Sequence, residues 1–518
     1  MVLEMILKAV FLGLEAGGKA VAAMNVQDAE RLGVLSLARI TIRFNGVEQA
    51  AIVHSSTELM QPGCIGVCRK VWTGLGLKEG LDVEVEIATF PDSLYFIRNK
   101  LNRRKLAYDE ILEIVEDTVK EKLSDVEISA FVTALHSFGL DLDEATNLSM
   151  AMFKTGSSMK LDREVVVDKH SIGGVPGDKT TLLVVPIIAA CGLTIPKTSS
   201  GAITSPAGTA DRAKVLMPVD LDMGEMQEVV VKTNGCIVWG GSVHLAPADD
   251  IFVKVEYPLS IDPLLLPSIM SKKKAVGANL LVVDIPCGRG AKVKTIGEAD
   301  LLAKDFLEIG SRLGIKVRCA VTYGEQPIGY AVGPALEAKE ALQALMGRES
   351  PLDLIEKATD IAGMILELAG KSDGKRIAAE ALRSGKAEQK MREIIAAQGG
   401  DSKISPEEIV IADHQFTFPS NRSGHMLWIN NSSVADLARL AGCPKDSGAG
   451  MLIHKKIGDA VDKGEPLFTI FAQRSANLQR ALDRLDGLKI MGVGDRMEML
   501  IHEVRERPVI KRSFALDR

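Results

Sequence analysis

Between Asp168 and Arg212 the chain concentrates residue types that can hold an oxyanion. Lys169 and Lys179 bring positive charge, and Ser171, Ser199, Ser200, Thr204, Ser205 and Thr209 bring hydroxyls. Gly173, Gly174, Gly177, Gly201 and Gly208 allow backbone N–H groups to approach a ligand closely. Two successive loops with glycine and hydroxyls, the first also with lysine, form a pattern suited to gripping phosphate. Neither familiar phosphate loop accounts for them. A Walker A loop counted from Gly173 puts Asp178 where its second glycine belongs, although Lys179-Thr180 follow. The dinucleotide fingerprint GxGxxG is absent from this stretch. The alternative is a pair of turns whose glycines serve backbone geometry alone.

Such loops need a scaffold. The β-branched run 165–167 reads as a strand that stops at Asp168, 181–191 as a buried helix, and 193–195 as a second short strand. Strand, loop, helix, strand is the grammar of a parallel βαβ unit, whose ligands bind where the carboxyl ends of the strands meet the following loops. Further strands are expected at 235–239, 279–285 and 316–322, with a helix over 299–313.

The rest of the chain divides around this region into a multidomain α/β protein. Residues 1–90 alternate in short strands, with an Asn45-Gly46 hairpin turn, and form a small N-terminal β domain of assembly or accessory type, compatible with a barrel. Residues 91–162 form a helical lobe: Ile111, Ile114, Val115 and Val119 make an apolar stripe, and Ser124 with Glu127 and Asp141 with Glu144 make capping boxes. The stretch from about 247 to 278 is helical again and returns to that lobe. Residues 163–404 form the α/β domain that carries the two phosphate-gripping loops, and 405–518 a C-terminal α+β subdomain with hairpins around 448–471.

With 518 residues, 46% hydrophobic and 25% charged, the chain can bury a sizeable core. A net charge of −6 gives no reason to expect nucleic-acid binding, so an anion must be held locally. Seven scattered cysteines make no disulfide framework, and no Cys or His set has metal spacing; Cys64 and Cys68 lack partners for a zinc site. The apolar start of the chain is interrupted by Glu4 and Glu15 and reads as a strand rather than a signal peptide. No stretch suits a membrane span, and a cytoplasmic location is expected.

Asp168-Lys169-His170-Ser171-Ile172-Gly173-Gly174 resembles the DKHSxGG signature of the thymidine/pyrimidine-nucleoside phosphorylases, and the similarity runs in order over about residues 96–505. Three departures point to the archaeal branch of that family: the segment 1–90, the longer first loop Val175-Pro176-Gly177-Asp178-Lys179, and a second loop reading SSGAITSPAGTAD. The resemblance implies a helical lobe facing a mixed α/β lobe across a cleft. It also implies phosphorolysis of nucleoside 5′-monophosphates (AMP, with CMP and UMP as further substrates) to free base and ribose 1,5-bisphosphate. Inorganic phosphate is then a co-substrate, no cofactor or metal is needed, and the assembly is a homodimer or larger homo-oligomer.

By the same resemblance, Lys169 and Ser171 bind phosphate, and Gly174, Ser200, Gly201, Ala202, Ile203, Thr204, Ser205, Thr209, Ser268 and Lys292 contact the nucleotide. Asp262, in the SIDP segment, becomes the acid that protonates the departing base. On its own context Asp262 is a turn aspartate before Pro263, although Ile261 and Leu264, Leu265 and Leu266 offer apolar surroundings that would raise its pKa. His170 is the second candidate acid, or only a polar wall beside the base. Lys272 is a further candidate base contact; the run Lys272-Lys273-Lys274 otherwise reads as a solvated helix face, and Lys292 as a loop lysine. Two other functions stay open: a pyrimidine-nucleoside phosphorylase, and an inactive nucleotide-binding sensor. A phosphoribosyltransferase would call for Mg²⁺.

Overall fold

The computed structural model describes residues 4–202, 205–348, 351–485 and 487–495. The chain separates into two compact units, residues 1–155 with 247–264, and residues 156–246 with 265–518.

In the first unit, β1 (Glu4–Phe11), β2 (Val21–Asn25), β3 (Arg39–Phe44), β4 (Val47–Ser56), β5 (Cys64–Val67) and β6 (Asp82–Ile87) close into a barrel of order β1-β5-β2-β4-β3-β6. Alternation builds it: Ile40 and Ile42 of β3 and Val83 and Val85 of β6 point into the core. Asn45 and Gly46 both have positive φ, 50° and 80°, as a two-residue hairpin turn requires. The pairs β1/β5 and β2/β4 are parallel, and short helices α1 (Val26–Leu32) and α2 (Arg69–Gly74) connect strands; neither feature shows in the strand pattern of the sequence.

Four helices follow, α3 (Ser93–Leu101), α4 (Tyr108–Val119), α5 (Asp125–Phe138) and α6 (Leu142–Lys154). Both expected capping boxes form: Glu127 N donates to Ser124 Oγ at 3.4 Å, and Glu144 N to Asp141 Oδ1 at 2.8 Å. Glu127 also pairs with Arg39 of the barrel at 2.6 Å, and Glu144 holds the buried Lys100 at 2.7 Å. The helix Pro247–Leu259 joins this unit from much later in the chain.

The second unit begins with β7 (Val167–Ser171), which leads through α7 (Thr180–Ala190) to β8 (Ile195–Ser199), α8 (Thr209–Ala213), α9 (Met223–Thr233) and β9 (Gly235–Trp239). The chain then supplies α10 (Pro247–Leu259) to the first unit and resumes with α11 (Leu265–Ala275), β10 (Leu280–Cys287), α12 (Ile296–Leu313) and β11 (Lys316–Tyr323). The returning segment thus ends at Leu264 rather than near 278, because α11 packs against α12. β7, β10 and β11 pair in parallel, as do β8 and β9, and a parallel bridge between Val166 and Thr194 joins the two sets. The strand order is therefore β9-β8-β7-β10-β11, with all carboxyl ends on one edge.

β7 departs from expectation. It runs through the Asp168–Ser171 motif instead of stopping before it, in register with Leu280–Asp284 of β10. Pairing with an apolar neighbour overrides the weak strand propensity of Asp and Lys.

The sheet is covered by α7, in which every residue from Thr180 to Ala189 is buried, by α14 (Leu352–Leu368), and by α9 and α12, while α13 (Pro334–Leu345), α15 (Gly374–Arg383) and α16 (Lys386–Ala397) pack on α7. β12 (Ala331–Val332) precedes α13 and pairs with β15 (Gly450–Ile453), so the C-terminal part is not built from residues after 404 alone. That part contains β13 (His414–Pro419), β14 (Gly424–Ile429), α17 (Asn431–Ala441), β16 (Ala460–Val461), β17 (Pro466–Ala472), α18 (Ser475–Leu485) and β18 (Met491–Gly494). Its sheets have orders β12-β15-β17-β13 and β16-β14-β18. Among the described residues no helix is long and apolar enough to cross a membrane.

Candidate active site

The DKHS residues end β7 at the carboxyl edge of the sheet. Strand alternation puts Lys169 and Ser171 on one face and Asp168 and His170 on the other.

On the first face Lys169 is 2% exposed, and its ammonium donates to Thr181 Oγ1 of α7 at 3.1 Å. Burial pushes it below the ordinary lysine range, Asp178 and Asp284 pull it back, and Lys357 and Arg212 oppose them. Ser171 Oγ lies 3.4 Å from Asp178 Oδ2, at the end of the first loop. Asp178 Oδ1 also accepts from Thr180 N at 3.2 Å. Lys357 of α14 reaches Asp178 Oδ2 at 3.2 Å and Asp284 Oδ2 at 2.9 Å, and Thr322 donates to Asp284 Oδ1 at 2.6 Å. Burial alone would raise the Asp178 carboxyl; Lys357 first, then Lys169, the Thr180 hydrogen bond and Arg212, hold it well below the usual carboxylate range. Two lysines and two carboxylates thus interlock behind the loop.

On the second face Lys273 of α11 meets Asp168 Oδ2 at 2.6 Å, and Lys197 of β8 lies 3.6 Å from Oδ1. Lys197 also donates to the Lys169 carbonyl at 2.6 Å, and burial, ahead of the pull of Asp168, drives it well below the ordinary lysine range. His170 is half-buried. Burial first, then Lys273, Lys197 and Lys169, hold its imidazole well below 6.5, so the ring is neutral at pH 7. The unfolded chain takes up that proton near pH 6.5, whereas the folded chain does not. Stability contributed by this group is therefore lost as pH falls below about 6.5, and His170→Asn should flatten that loss when denaturant midpoints are compared from about pH 7.5 to about pH 5.5. An unchanged slope would show that His170 is not the group.

The second loop is closed on itself. A Cβ on Gly208 would lie 2.2 Å from the Gly201 carbonyl carbon, so the two backbones touch at the neck. Asp211 Oδ2 accepts from Ala202 N at 2.7 Å and from Gly208 N at 2.8 Å. Arg212 donates to the Ala207 carbonyl at 2.6 Å and to the Gly208 carbonyl at 3.1 Å. The Ala202 amide is thus committed inside the loop, so it is not among the N–H groups the sequence offers an anion. Ser200 is exposed, Ser205 Oγ donates to the Ala207 carbonyl at 2.7 Å, and Thr209 opens α8. Ser199 Oγ is buried with no hydrogen-bond partner among the described residues. Ile203 and Thr204 lie outside the described residues.

Gly174, at φ 91°, meets the loop after β10: a Cβ there would lie 2.6 Å from Lys292 N. Lys292 itself is exposed. On α11, Lys272 Nζ stands 3.4 Å from Ser268 Oγ. Asp262 belongs to the first unit and is exposed while Leu264 is buried, so the apolar surroundings expected around its carboxyl are not found.

Two lysines prove structural. Lys179 is fully buried, pairs with Glu340 and donates to the Ile328 and Ala331 carbonyls at 2.9 and 3.0 Å, so it offers no charge to an anion. Lys273, at 2% exposed, corrects the expectation that the lysine run is a solvated face; Lys274 likewise donates to the Leu313 carbonyl at 3.0 Å. Asp211, Arg212, Asp284 and Lys357 do not stand out in the sequence as site residues. Two have local signals: Asp211 stands three residues after the N-cap Gly208, where a carboxylate can accept that N-cap amide, and Asp284 interrupts an apolar strand, where a carboxylate must find a cation. Among the described residues no three His, Cys, Asp or Glu side chains gather to hold a metal ion.

Comparison with known proteins bears on this arrangement. Residues 163–388 match the glycosyl transferase family a/b domain, 94–156 the glycosyl transferase family helical bundle domain, and 428–489 the pyrimidine nucleoside phosphorylase C-terminal domain. The chain is 48% identical over 493 residues to the AMP phosphorylase of Thermofilum pendens, covering 95% of this chain and 96% of that one. It is 50% identical over 452 residues to the AMP phosphorylase of Thermococcus kodakarensis, covering 85% and 90%. Anthranilate phosphoribosyltransferase from Thermus thermophilus aligns with a TM-score of 0.50 at 19% identity, over 58% of this chain and 99% of that one, a likeness of fold.

Proposed function

The chain belongs to the AMP phosphorylase family, and from that membership we propose that it phosphorolyses nucleoside 5′-monophosphates, AMP foremost and CMP and UMP besides. The observation that carries this reading is the pair of loops ending β7 and β8, with a buried lysine and a serine hydroxyl at the first and a closed, hydroxyl-bearing ring at the second. Lys169 and Ser171 hold inorganic phosphate for in-line attack on the anomeric carbon. Gly174, the 200–205 loop, Thr209 and Lys292 hold the nucleotide, including its 5′-phosphate. Ser268 and Lys272 contact the base, with His170 as a neutral wall.

One phosphate oxygen bonds to the anomeric carbon as the C–N bond breaks, and the electron pair leaves with the base. Asp262 gives its proton to that base, leaving free adenine and ribose 1,5-bisphosphate. Positioning and electrostatics supply the rate, and the reaction as proposed uses no cofactor or metal. A cytoplasmic homodimer or larger homo-oligomer completes the reading; mass in solution tests the assembly.

The deciding experiment is a phosphate-dependent product assay on AMP, CMP, UMP, adenosine, uridine and thymidine, without and with Mg²⁺. Free base and ribose 1,5-bisphosphate from nucleotides, with nucleosides poor, is the expected result. Turnover of nucleosides alone would place the chain with the pyrimidine enzymes. Tight AMP binding without turnover would make it a sensor, and an absolute Mg²⁺ requirement would point to phosphoribosyl transfer.

A further inference from the structure

The two loops are joined by one side chain. Arg212, 3% exposed, donates from Nη1 to the Asp178 carbonyl at the end of the first loop. Its Nη2 donates to the Ala207 carbonyl at 2.6 Å and its Nε to the Gly208 carbonyl at 3.1 Å, both in the second loop. Glu337 of α13, fully buried, lies 3.2 Å from Nε and is itself held by Gly333 N at 3.0 Å. Asp211, one residue before, takes the amides of the same loop whose carbonyls Arg212 takes. The Asp178 carboxylate meanwhile lies 3.4 Å from Ser171 Oγ. Asp178 thus links the two loops through its own covalent frame: its carboxylate faces Ser171 and its backbone carbonyl accepts from Arg212, which reaches on to the neck of the second loop.

We propose that Arg212 is a positioning residue that locks the two loops into one substrate-binding unit, so that phosphate held at the first loop orders the second for the nucleotide. This rests on the function proposed above. A planar guanidinium suits this role because it presents several N–H groups in a fixed fork and satisfies three carbonyls at once. A lysine there keeps the charge beside Glu337 but reaches fewer of them. Because binding coupling is reciprocal, the lock should make each substrate bind better when the other is bound.

The test is Arg212→Lys, assayed with phosphate and AMP both varied. The wild type should show phosphate binding tightened about 5-fold or more by saturating AMP, and the variant should lose that coupling. The variant's kcat/KM should fall about 10- to 100-fold, as for a sub-ångström displacement of bound groups. A variant with wild-type kinetics and coupling, or a wild type without coupling, would overturn the proposal. Should the variant fail to fold, amide exchange of the wild type with inorganic phosphate alone decides: slowed exchange in both 172–179 and 205–208 supports the lock, and slowing confined to the first loop sinks it. A wild type that releases no base from any nucleotide defeats the functional reading, and the exchange measurement then still tests the lock.

Discussion

Lys357→Met should cost about 3–5 kcal/mol of stability, the usual result of stripping the cation from a buried charge cluster. Lys357 is 7% exposed and is the ammonium that touches both Asp178 and Asp284. Asp284 is fully buried, and without Lys357 it keeps the Thr322 hydroxyl at 2.6 Å, a neutral donor against a full negative charge. Asp178 retains Thr180 N and the field of Lys169 and Arg212. In the wild type the depressed Asp178 carboxyl contributes stability above its unfolded value of 3.8, lost as pH falls through its lower folded value. In the variant a carboxyl left without its cation takes a proton more readily when folded, so the deficit against wild type should shrink on acidification. Urea unfolding at neutral and mildly acid pH measures both effects. Adding Asp284→Asn to Lys357→Met should recover stability, because the uncompensated charge is gone. A single variant of near wild-type stability would mean that water or backbone movement already compensates Asp284.

That cluster also shows what the sequence could and could not reveal. Capping boxes at Ser124 and Asp141 were legible because donor and acceptor stand three residues apart. The Asn45-Gly46 turn and the 235–239, 280–287 and 316–323 strands were legible for the same reason: turn chemistry and apolar runs are local signals. The fate of the charged residues was not. Lys179 finds Glu340 at a separation of 161 residues and Lys273 finds Asp168 at 105, and nothing near either lysine distinguishes a buried pair from a solvated charge. The loops could be recognised by their glycines and hydroxyls, but not which amides the fold itself consumes, as Asp211 consumes that of Ala202. The N-terminal barrel was legible from its short alternating strands, but not the parallel pairs that close it, because they join strands distant in sequence. Local chemistry located the candidate site; long-range pairing decided which of its residues remain available to a ligand.

Asp262→Asn should leave nucleotide binding nearly intact while lowering kcat for AMP by about 10²- to 10⁴-fold, the range of a lost general acid. The amide is isosteric with the carboxyl and can hydrogen-bond, but it has no proton to give the departing base. His170 is the rival, and its surroundings argue against it. With burial first, and then Lys273, Lys197 and Lys169, holding the imidazole well below 6.5, it carries no extra proton at neutral pH. His170→Asn should therefore change kcat far less than Asp262→Asn, and any loss should appear mainly in KM. A chemical control separates proton donation from mere structure. A nucleotide whose base is methylated on the imidazole ring already carries the positive charge that protonation would create, so its base leaves without an acid. Asp262→Asn should turn over that substrate at close to the wild-type rate while remaining slow on AMP. Equal impairment on both substrates would remove Asp262 from proton transfer and leave it a turn residue before Pro263, as its immediate sequence suggests. Impairment of His170→Asn on AMP alone, with the methylated substrate spared, would move the acid to His170 and require that bound substrate raise its proton affinity against burial and four nearby lysines.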